Sequence, residues 1–334
     1  MKVLLLVNSE ASSVTARGRV VIQKALSADH DVTLAETSRR GHAARLSQGA
    51  AADGVDVVVV LGGDGTLNEA ANGLAGSTCA LAALPGGSTN VFARTIGLPN
   101  DPIEATGFLL DALDQGSVER VGLGSVNGRY FLFHVGMGFD AAVVAQVERR
   151  ATFKRYLGHP LFVYAAFTSW FRHYDRTRPR FAVQFPAGPD GDAAVVDGSF
   201  AVAFNTNPYT YFGNRALDVA PEASLERGLV SLTMGSMTFP KIIRLAAAAL
   251  SKGGRPVGRL PFLDYRTDLA GFRVVGHGPF PYQVDGDHLG DAEELVFRHT
   301  PAVLDLVRPN GHATGAEVPP RPWARMRTVR PHEE

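Results

Sequence analysis

Residues 55–69 read Val-Asp-Val-Val-Val-Val-Leu-Gly-Gly-Asp-Gly-Thr-Leu-Asn-Glu, and residues 79–90 read Cys-Ala-Leu-Ala-Ala-Leu-Pro-Gly-Gly-Ser-Thr-Asn. Val55 to Leu61 holds five valines in seven residues. Branching at Cβ suits a pleated strand better than a helix. An unbroken apolar run also implies cover on both faces, as in a parallel sheet. Glycines end that strand, and Leu67 to Leu74 reads as a helix. The second stretch repeats the grammar, with a strand at Cys79 to Leu84, a glycine turn, and a short helix at Asn90 to Ile96. Toward the N-terminus, Lys2 to Val7 and His30 to Ala35 read as strands, and Val14 to Leu26 and Gly41 to Ala52 as helices. Strands alternating with helices predict a doubly wound parallel α/β layer.

Beyond Val118 the pattern changes. Val118 to Val126 and Tyr130 to Val135 flank Asn127-Gly128, a strong two-residue hairpin signal. Arg180 to Phe185, Ser199 to Asn205, Leu229 to Met234, Phe272 to Val275, Leu295 to Phe297 and Ala302 to Val307 are short β-rich runs between Gly and Pro clusters. Helices are expected at Phe139 to Arg150, Leu161 to Arg172 and Pro240 to Ser251, and a surface turn at 186–198. A second, mainly antiparallel domain is therefore expected over 123–299, after an α/β domain at 1–122. The Pro- and Arg-rich stretch 309–334 reads as a loose tail.

Bulk properties exclude several classes. Among 334 residues, 33 Lys and Arg balance 33 Asp and Glu, so no global charge points to a nucleic-acid partner. A single cysteine, Cys79, excludes an internal disulfide and a cysteine-rich metal site. The apolar N-terminal run is short for a signal peptide, and no stretch reaches the roughly 18 apolar residues of a membrane span. A cytoplasmic protein is the expectation. Oligomeric state is left open, with a homodimer among the options.

Chemistry concentrates in the two glycine stretches. Gly62-Gly63-Asp64-Gly65-Thr66 lies at the carboxyl end of a strand and opens a helix, which is where ligands bind in open α/β sheets. Glycine lets backbone approach phosphate closely, and a helix N-terminus offers N–H groups with a favourable dipole. A carboxylate there can hold Mg²⁺ on a nucleotide or accept a proton from an incoming hydroxyl; the alternative is Asp64 as a helix N-cap. Gly87, Ser88, Thr89 and Asn90 would extend the same polar cradle from the next strand. Neither a Gly-Lys-Ser/Thr phosphate loop nor G-x-G-x-x-G after the first strand is present.

GGDGTLNEAANGL (62–74) and PGGSTNVFARTIGLP (85–99) resemble the diacylglycerol kinase catalytic family, which includes sphingosine, ceramide and bacterial lipid kinases. The likeness continues at Thr37 with Gly41-His42-Ala43, at Gly136-Met137-Gly138-Phe139-Asp140-Ala141, from Asn205 through Gly213 to Pro221-Glu222-Ala223, and at Val284-Asp285-Gly286-Asp287. It implies a nucleotide-binding α/β domain plus a β-sandwich, with 300–308 a candidate to rejoin the first. It also implies transfer of the ATP γ-phosphoryl to a lipid hydroxyl, with Mg²⁺ carried on the nucleotide. Diacylglycerol giving phosphatidic acid is the first candidate acceptor. By resemblance, Asn8, Thr37, Gly62, Gly63, Asp64, Gly65, Thr66, Leu67, Asn68, Glu69, Gly87, Ser88, Thr89 and Asn90 would bind nucleotide. Asp287 and Asp64 would be the catalytic carboxylates. On that reading Asp64→Asn lowers turnover by at least about a hundredfold and changes stability little.

The chain departs from the family pattern at Glu10, at Val91 (an Asp in the family), and at Arg227, where a metal-ligating Asp is expected. A guanidinium does not ligate Mg²⁺, so no protein-held metal is assigned. Two rivals remain at this point. NAD kinases share GGDGT, and a silent nucleotide-binding regulator would tolerate the departures. Phe131, Phe133, Phe139, Phe204, Phe212 and Phe239 are candidates for an apolar wall along a lipid chain. Residues 153–178 interleave aromatics with Lys and Arg, which suggests either peripheral contact with an anionic membrane or a core helix with a basic end.

Overall fold

The computed structural model describes residues 1–141, 178–186, 193–250 and 257–309. The expected helix at 161–172, nearly all of the one at 139–150 and of the aromatic-basic segment at 153–178, and nearly all of the tail from 309 lie outside the described residues. The chain divides into two compact units, 1–120 with 304–334, and 121–303.

In the first unit, strands β1 (Lys2–Val7), β2 (Asp31–Glu36), β3 (Val57–Gly62) and β4 (Ala80–Pro85) alternate with helices α1 (Ala16–Ser27), α2 (His42–Ala52), α3 (Asp64–Leu74) and α4 (Val91–Thr95). Strand β1 pairs in parallel with both β2 and β3, and β3 with β4. The end of the last strand adds beyond β4, with Leu306 opposite Leu81. Val57 to Leu61 are at most 1% exposed, which explains the valine run: both faces of this strand are interior. Helix α2 packs with α3, and α1 with α5 (Pro102–Gln115), as two helical layers require. Right-handed crossovers put α1 on one face and α2 and α3 on the other.

Helix α5 was not read from the sequence, yet its punctuation is there. Asp101 caps the amides of Ile103 and Glu104, Pro102 opens the helix, and Gly116 closes it at φ 64°.

The second unit contains the close of β5 (Val118–Val126) and β6 (Arg129–Phe131), then β7 (His134–Gly138), β8 (Phe181–Phe185), β9 (Ala194–Gly198) and β10 (Phe200–Phe204). There follow β11 (Thr210–Phe212), β12 (Arg215–Leu217), β13 (Leu229–Met234), helix α6 (Phe239–Leu250), β14 (Asp264–Leu269), β15 (Gly271–Val284) and the start of β16 (Asp287–Val307). Asn127 (φ 48°) and Gly128 (φ 83°) form the expected turn, with Val126 opposite Arg129. Strand β15 shifts register between Val275 and Phe280, pairing with β8 before the shift and with β7 after it. That bend lets the antiparallel strands layer as a sandwich, whose main core includes Phe131, Met137, Phe181, Phe280 and Phe297.

Two expectations need correction. Residues 194–198 form a strand paired with β8, not a surface turn, because the alternation Ala194, Val196, Gly198 meets the apolar face of Phe181–Phe185. Tyr130 to Val135 is two strands, interrupted because the amides of Leu132, Phe133 and His134 all donate to the Asp285 carboxylate (2.7, 2.9 and 3.1 Å).

Candidate functional site

Strand order β2-β1-β3-β4 reverses direction between β1 and β3, so the loops leaving those two strands diverge at the carboxyl edge. Asn8, just past β1, is tied to β3 and α3: its amide donates to the Leu61 carbonyl (3.0 Å), and its Nδ2 donates to Thr66 Oγ1 (3.0 Å). Thr37, past β2, donates its amide to the Val7 carbonyl (2.9 Å). All four β-to-α loops of the first unit thus open on one edge.

The glycines of the two loops serve each other first. The Gly86 amide donates to the Gly62 carbonyl (2.8 Å). A Cβ on Gly86 would stand 2.8 Å from both Cα and N of Gly62, and one on Gly87 2.9 Å from Gly63 Cα. Only residues without side chains permit backbones to approach this closely. Gly63 differs, since its Cβ would meet nothing nearer than Gly87 Cα at 3.5 Å.

Asp64 is the first residue of α3, whose N-cap is Gly63. It caps a different helix from the one its sequence position suggests. Its Oδ2 accepts from the Val91 amide and its Oδ1 from the Phe92 amide, both at 3.0 Å. The N-terminus of α4 is therefore occupied by an internal carboxylate, and α3 is the 11-residue helix whose first turn faces the loop edge. The first-turn amides of any helix, here including Gly65 and Thr66, lack intrahelical carbonyls and favour an anion such as phosphate.

The remaining expected nucleotide residues fall into four groups. Ser88 is exposed at the rim with Thr89 half-buried beside it, and Thr66 is half-buried. Asn90 (2% exposed, φ 51°) is a clamp: Oδ1 accepts from the Gly87 amide (2.7 Å), and Nδ2 donates to the Gly87 carbonyl (2.9 Å) and Asn100 Oδ1 (2.8 Å). Leu67 (4%) and Asn68 (1%) point inward, because helical period puts them on the face of α3 that packs on the sheet. They support the loop and do not line it. The Glu69 carboxylate accepts from the Gly41 amide (2.7 Å) and the Ala43 amide (3.1 Å), which anchors the start of α2. Val91 is buried at 5%, and Glu10 is exposed.

In the second unit, Asp285 (φ 48°) and Gly286 (φ 83°) make a two-residue turn of the I′ kind between paired Val284 and Asp287. Gln283, fully buried, holds the turn by accepting from the Gly286 amide (2.8 Å) through Oε1. Its Nε2 donates to Asp140 Oδ2 (2.9 Å), and the Tyr209 hydroxyl donates to Asp140 Oδ1 (2.5 Å). Burial holds the Asp140 carboxyl above the usual range, against the hydrogen bonds from Tyr209 and Gln283, which pull it down. His134 stacks on Tyr209 with centroids 4.4 Å apart, and burial pushes its imidazole down to about 3. Gly136 is obligatory here, since a Cβ would lie 1.5 Å from Asp140 Oδ2. This network sets where Asp287 leaves the turn. Residue type alone did not reveal Gln283 or Tyr209; Asp285-Gly286 ahead of a β run is the signal that was available for the hairpin.

The proposed apolar wall is corrected. Phe131, Phe133, Phe139 and Phe204 are at most 2% exposed and form core, whereas Phe239 is 63% exposed. Cys79 is buried, which raises its thiol to about 12 and makes it inert. Among the described residues no cluster of three or more His, Cys, Asp or Glu side chains could hold a metal.

Residues 2–126 match the diacylglycerol kinase catalytic domain. A Pseudomonas aeruginosa protein named "Probable lipid kinase YegS-like" is 29% identical over 323 residues, which covers 96% of this chain and 98% of that protein. A diacylglycerol kinase of Bacillus subtilis is 35% identical over 120 residues, 35% of this chain and 39% of that one. The crystal structure of a diacylglycerol kinase from Bacillus anthracis superposes with a TM-score of 0.67 at 20% identity, covering 92% of this chain and 96% of that one. At that identity the superposition speaks for the two-domain fold alone.

Proposed function

We infer, from the membership of residues 2–126 in the diacylglycerol kinase catalytic-domain family, that this protein is an ATP-dependent lipid kinase. The observation that carries the reading is the paired glycine loops at the carboxyl ends of β3 and β4, beside the switch point of the first sheet, with the N-terminus of α3 opening on their edge. Backbone N–H groups there would receive the phosphates of ATP, and Asn8, Thr66, Ser88 and Thr89 would line the rim. Mg²⁺ entering on the nucleotide would neutralise phosphate charge. No lysine stands in the phosphate loop, so positioning by fixed dipoles takes its place.

Asp64 already accepts two backbone N–H bonds, which lower its basicity, and the family resemblance assigns the proton to Asp287. The acceptor oxygen bonds to the γ-phosphorus as the bond to the β,γ-bridging oxygen breaks. The hydroxyl proton passes to the Asp287 carboxylate, and ADP leaves. Diacylglycerol is the acceptor we favour, giving phosphatidic acid at a membrane surface.

Incubation with labelled ATP and a total lipid extract tests this, and a labelled phospholipid is expected. Shortening the preferred acceptor by four CH₂ groups should raise KM by up to roughly a hundredfold. Asp287→Asn should lower turnover by about a hundredfold. Labelling of NAD at equal efficiency would move the protein to the NAD kinases. Binding of ATP without turnover on any lipid would make it a silent regulator.

A further inference from the structure

Helix α6, Phe-Pro-Lys-Ile-Ile-Arg-Leu-Ala-Ala-Ala-Ala-Leu, carries apolar residues round most of its circumference, broken by Lys241 and Arg244. A helix apolar all round is normally buried. Here one face is: Ile242 and Leu245 pack against Phe139, Met234 and Met237, and Ala249 joins the core beneath. The opposite face is not. Phe239 is 63% exposed and Ile243 50%, and Ala246 and Ala247 beside them are also exposed.

Charge along the segment that carries this face has one sign, although the exposed Asp218 lies at the helix C-terminus, where its amide donates to the Ala249 carbonyl (2.9 Å). From Gly235 to Leu263 the sequence contains Lys241, Arg244, Lys252, Arg255 and Arg259 and no Asp or Glu, in a chain whose net charge is zero. Lys252 and Arg255 lie outside the described residues and enter this count only. Arg244 is exposed, and so is Arg259 on the 3₁₀ turn Val257–Arg259, which packs on α6. Arg215 reaches the helix C-terminus, where its Nη2 donates to the Leu250 carbonyl.

We propose that α6 and the turn after it dock the protein onto an anionic bilayer, with Phe239 and Ile243 entering the acyl boundary and Arg244 and Arg259 meeting the headgroups. The choice of occupant follows from charge. A second copy of the same face would set cation against cation. A bilayer surface supplies an apolar layer under an anionic one, which matches an apolar helix face with a basic border. Among the described residues no helix is long and apolar enough to cross a membrane, so this contact is interfacial. The choice of a membrane rests on the lipid-kinase reading, since an enzyme with an acyl-chain acceptor must reach one.

Cosedimentation of the full chain with phosphatidylcholine vesicles, with and without phosphatidylglycerol, tests the proposal in the absence of nucleotide. Binding is expected only to the anionic vesicles and should weaken with salt. Phe239→Ser with Ile243→Ser should reduce partitioning by about a hundredfold, and Arg244→Glu with Arg259→Glu should abolish the preference for phosphatidylglycerol. Both variants should melt like the parent and keep activity on a short-chain acceptor in detergent, a readout that a folding defect would lower. Wild type ignoring anionic vesicles, or the double serine variant binding as well as wild type, overturns the proposal. Dimerisation through this face, lost in the serine variant, also overturns it in favour of a second copy. Vesicle binding without kinase activity on any lipid would sink the kinase reading and leave the docking face standing.

Discussion

Adding one methyl group at Gly86 and one at Gly63 separates the two tasks a glycine loop can have. In Gly86→Ala the new Cβ lies 2.8 Å from the Cα and N of Gly62 and from Val14 Cγ2. Carbon atoms rest at about 3.5–4.0 Å, so backbone on both sides must give by roughly 0.7 Å. The shift acts on strand ends tied by the Gly86 to Gly62 hydrogen bond. Overpacking of this kind costs about 1–3 kcal/mol, or a fall of roughly 3–8 °C in the melting of the first unit. Gly63→Ala is different. Its backbone is extended (φ −84°, ψ 175°), a conformation any residue adopts, and its nearest neighbour is at 3.5 Å. The methyl would narrow the gap between the loops without straining them. Melting should stay within about 1 °C of wild type, while KM for ATP rises by at least about tenfold, the scale of one lost close contact. Scanning calorimetry and initial-rate kinetics on both variants decide the matter. If Gly86→Ala melts like wild type, the loop-on-loop contact is wrong. If Gly63→Ala leaves KM unchanged, the cradle is not the nucleotide site.

Two further perturbations follow from the hydrogen bonding. Asp64→Asn replaces one acceptor facing the Val91 and Phe92 amides with a donor, so stability should fall by about 1–3 kcal/mol in addition to any loss of turnover. Urea unfolding identical to wild type would refute the capping role and restore the simpler expectation from sequence. His134 is held neutral by burial down to about 3, while its unfolded value is 6.5, so the unfolded state binds the extra proton as pH falls through that window. Stability is then lost below about pH 6.5 at up to about 1.4 kcal/mol per unit. Asp140, raised by burial, works in the opposite sense and regains part of that loss. His134→Phe keeps a ring against Tyr209 and removes the first effect, so the stability difference between variant and wild type should change by up to about 3 kcal/mol between pH 6.5 and 4. Parallel pH profiles would show that His134 does not titrate this way.

What the sequence made legible was local. The valine run, the glycine punctuation and Asn127-Gly128 each carry their meaning within a few residues, and the parallel order follows from their alternation. Partners distant in the chain were not legible. Asp64 meets amides 27 and 28 residues on, and Asp285 meets amides more than 150 residues back. A carboxylate in a glycine loop looks the same whether it faces ligand or caps a neighbouring helix. Composition also failed to separate core phenylalanines from exposed ones, because Phe131, fully buried, and Phe239, 63% exposed, are the same residue type. Position along a folded surface, not residue type, decides that.

The last strand has a consequence for how the molecule is made. It begins at Asp287 in the second unit and ends as the fifth strand of the first, where Leu306 lies beside Leu81, the Ser117 hydroxyl donates to the Arg308 carbonyl (2.7 Å) and Arg308 pairs with Glu119 (2.7 Å). During synthesis the first 120 residues leave the ribosome long before residue 304. At the chain-elongation rates of about 5–20 residues per second, the outer edge of β4 waits at least roughly ten seconds for its neighbour. For that interval it is an open hydrogen-bonding template of apolar residues, the kind of edge that recruits other nascent chains. Expression of residues 1–120 alone should accordingly yield aggregate. A circular permutant that joins 304–309 ahead of Met1 through a glycine linker would remove the wait.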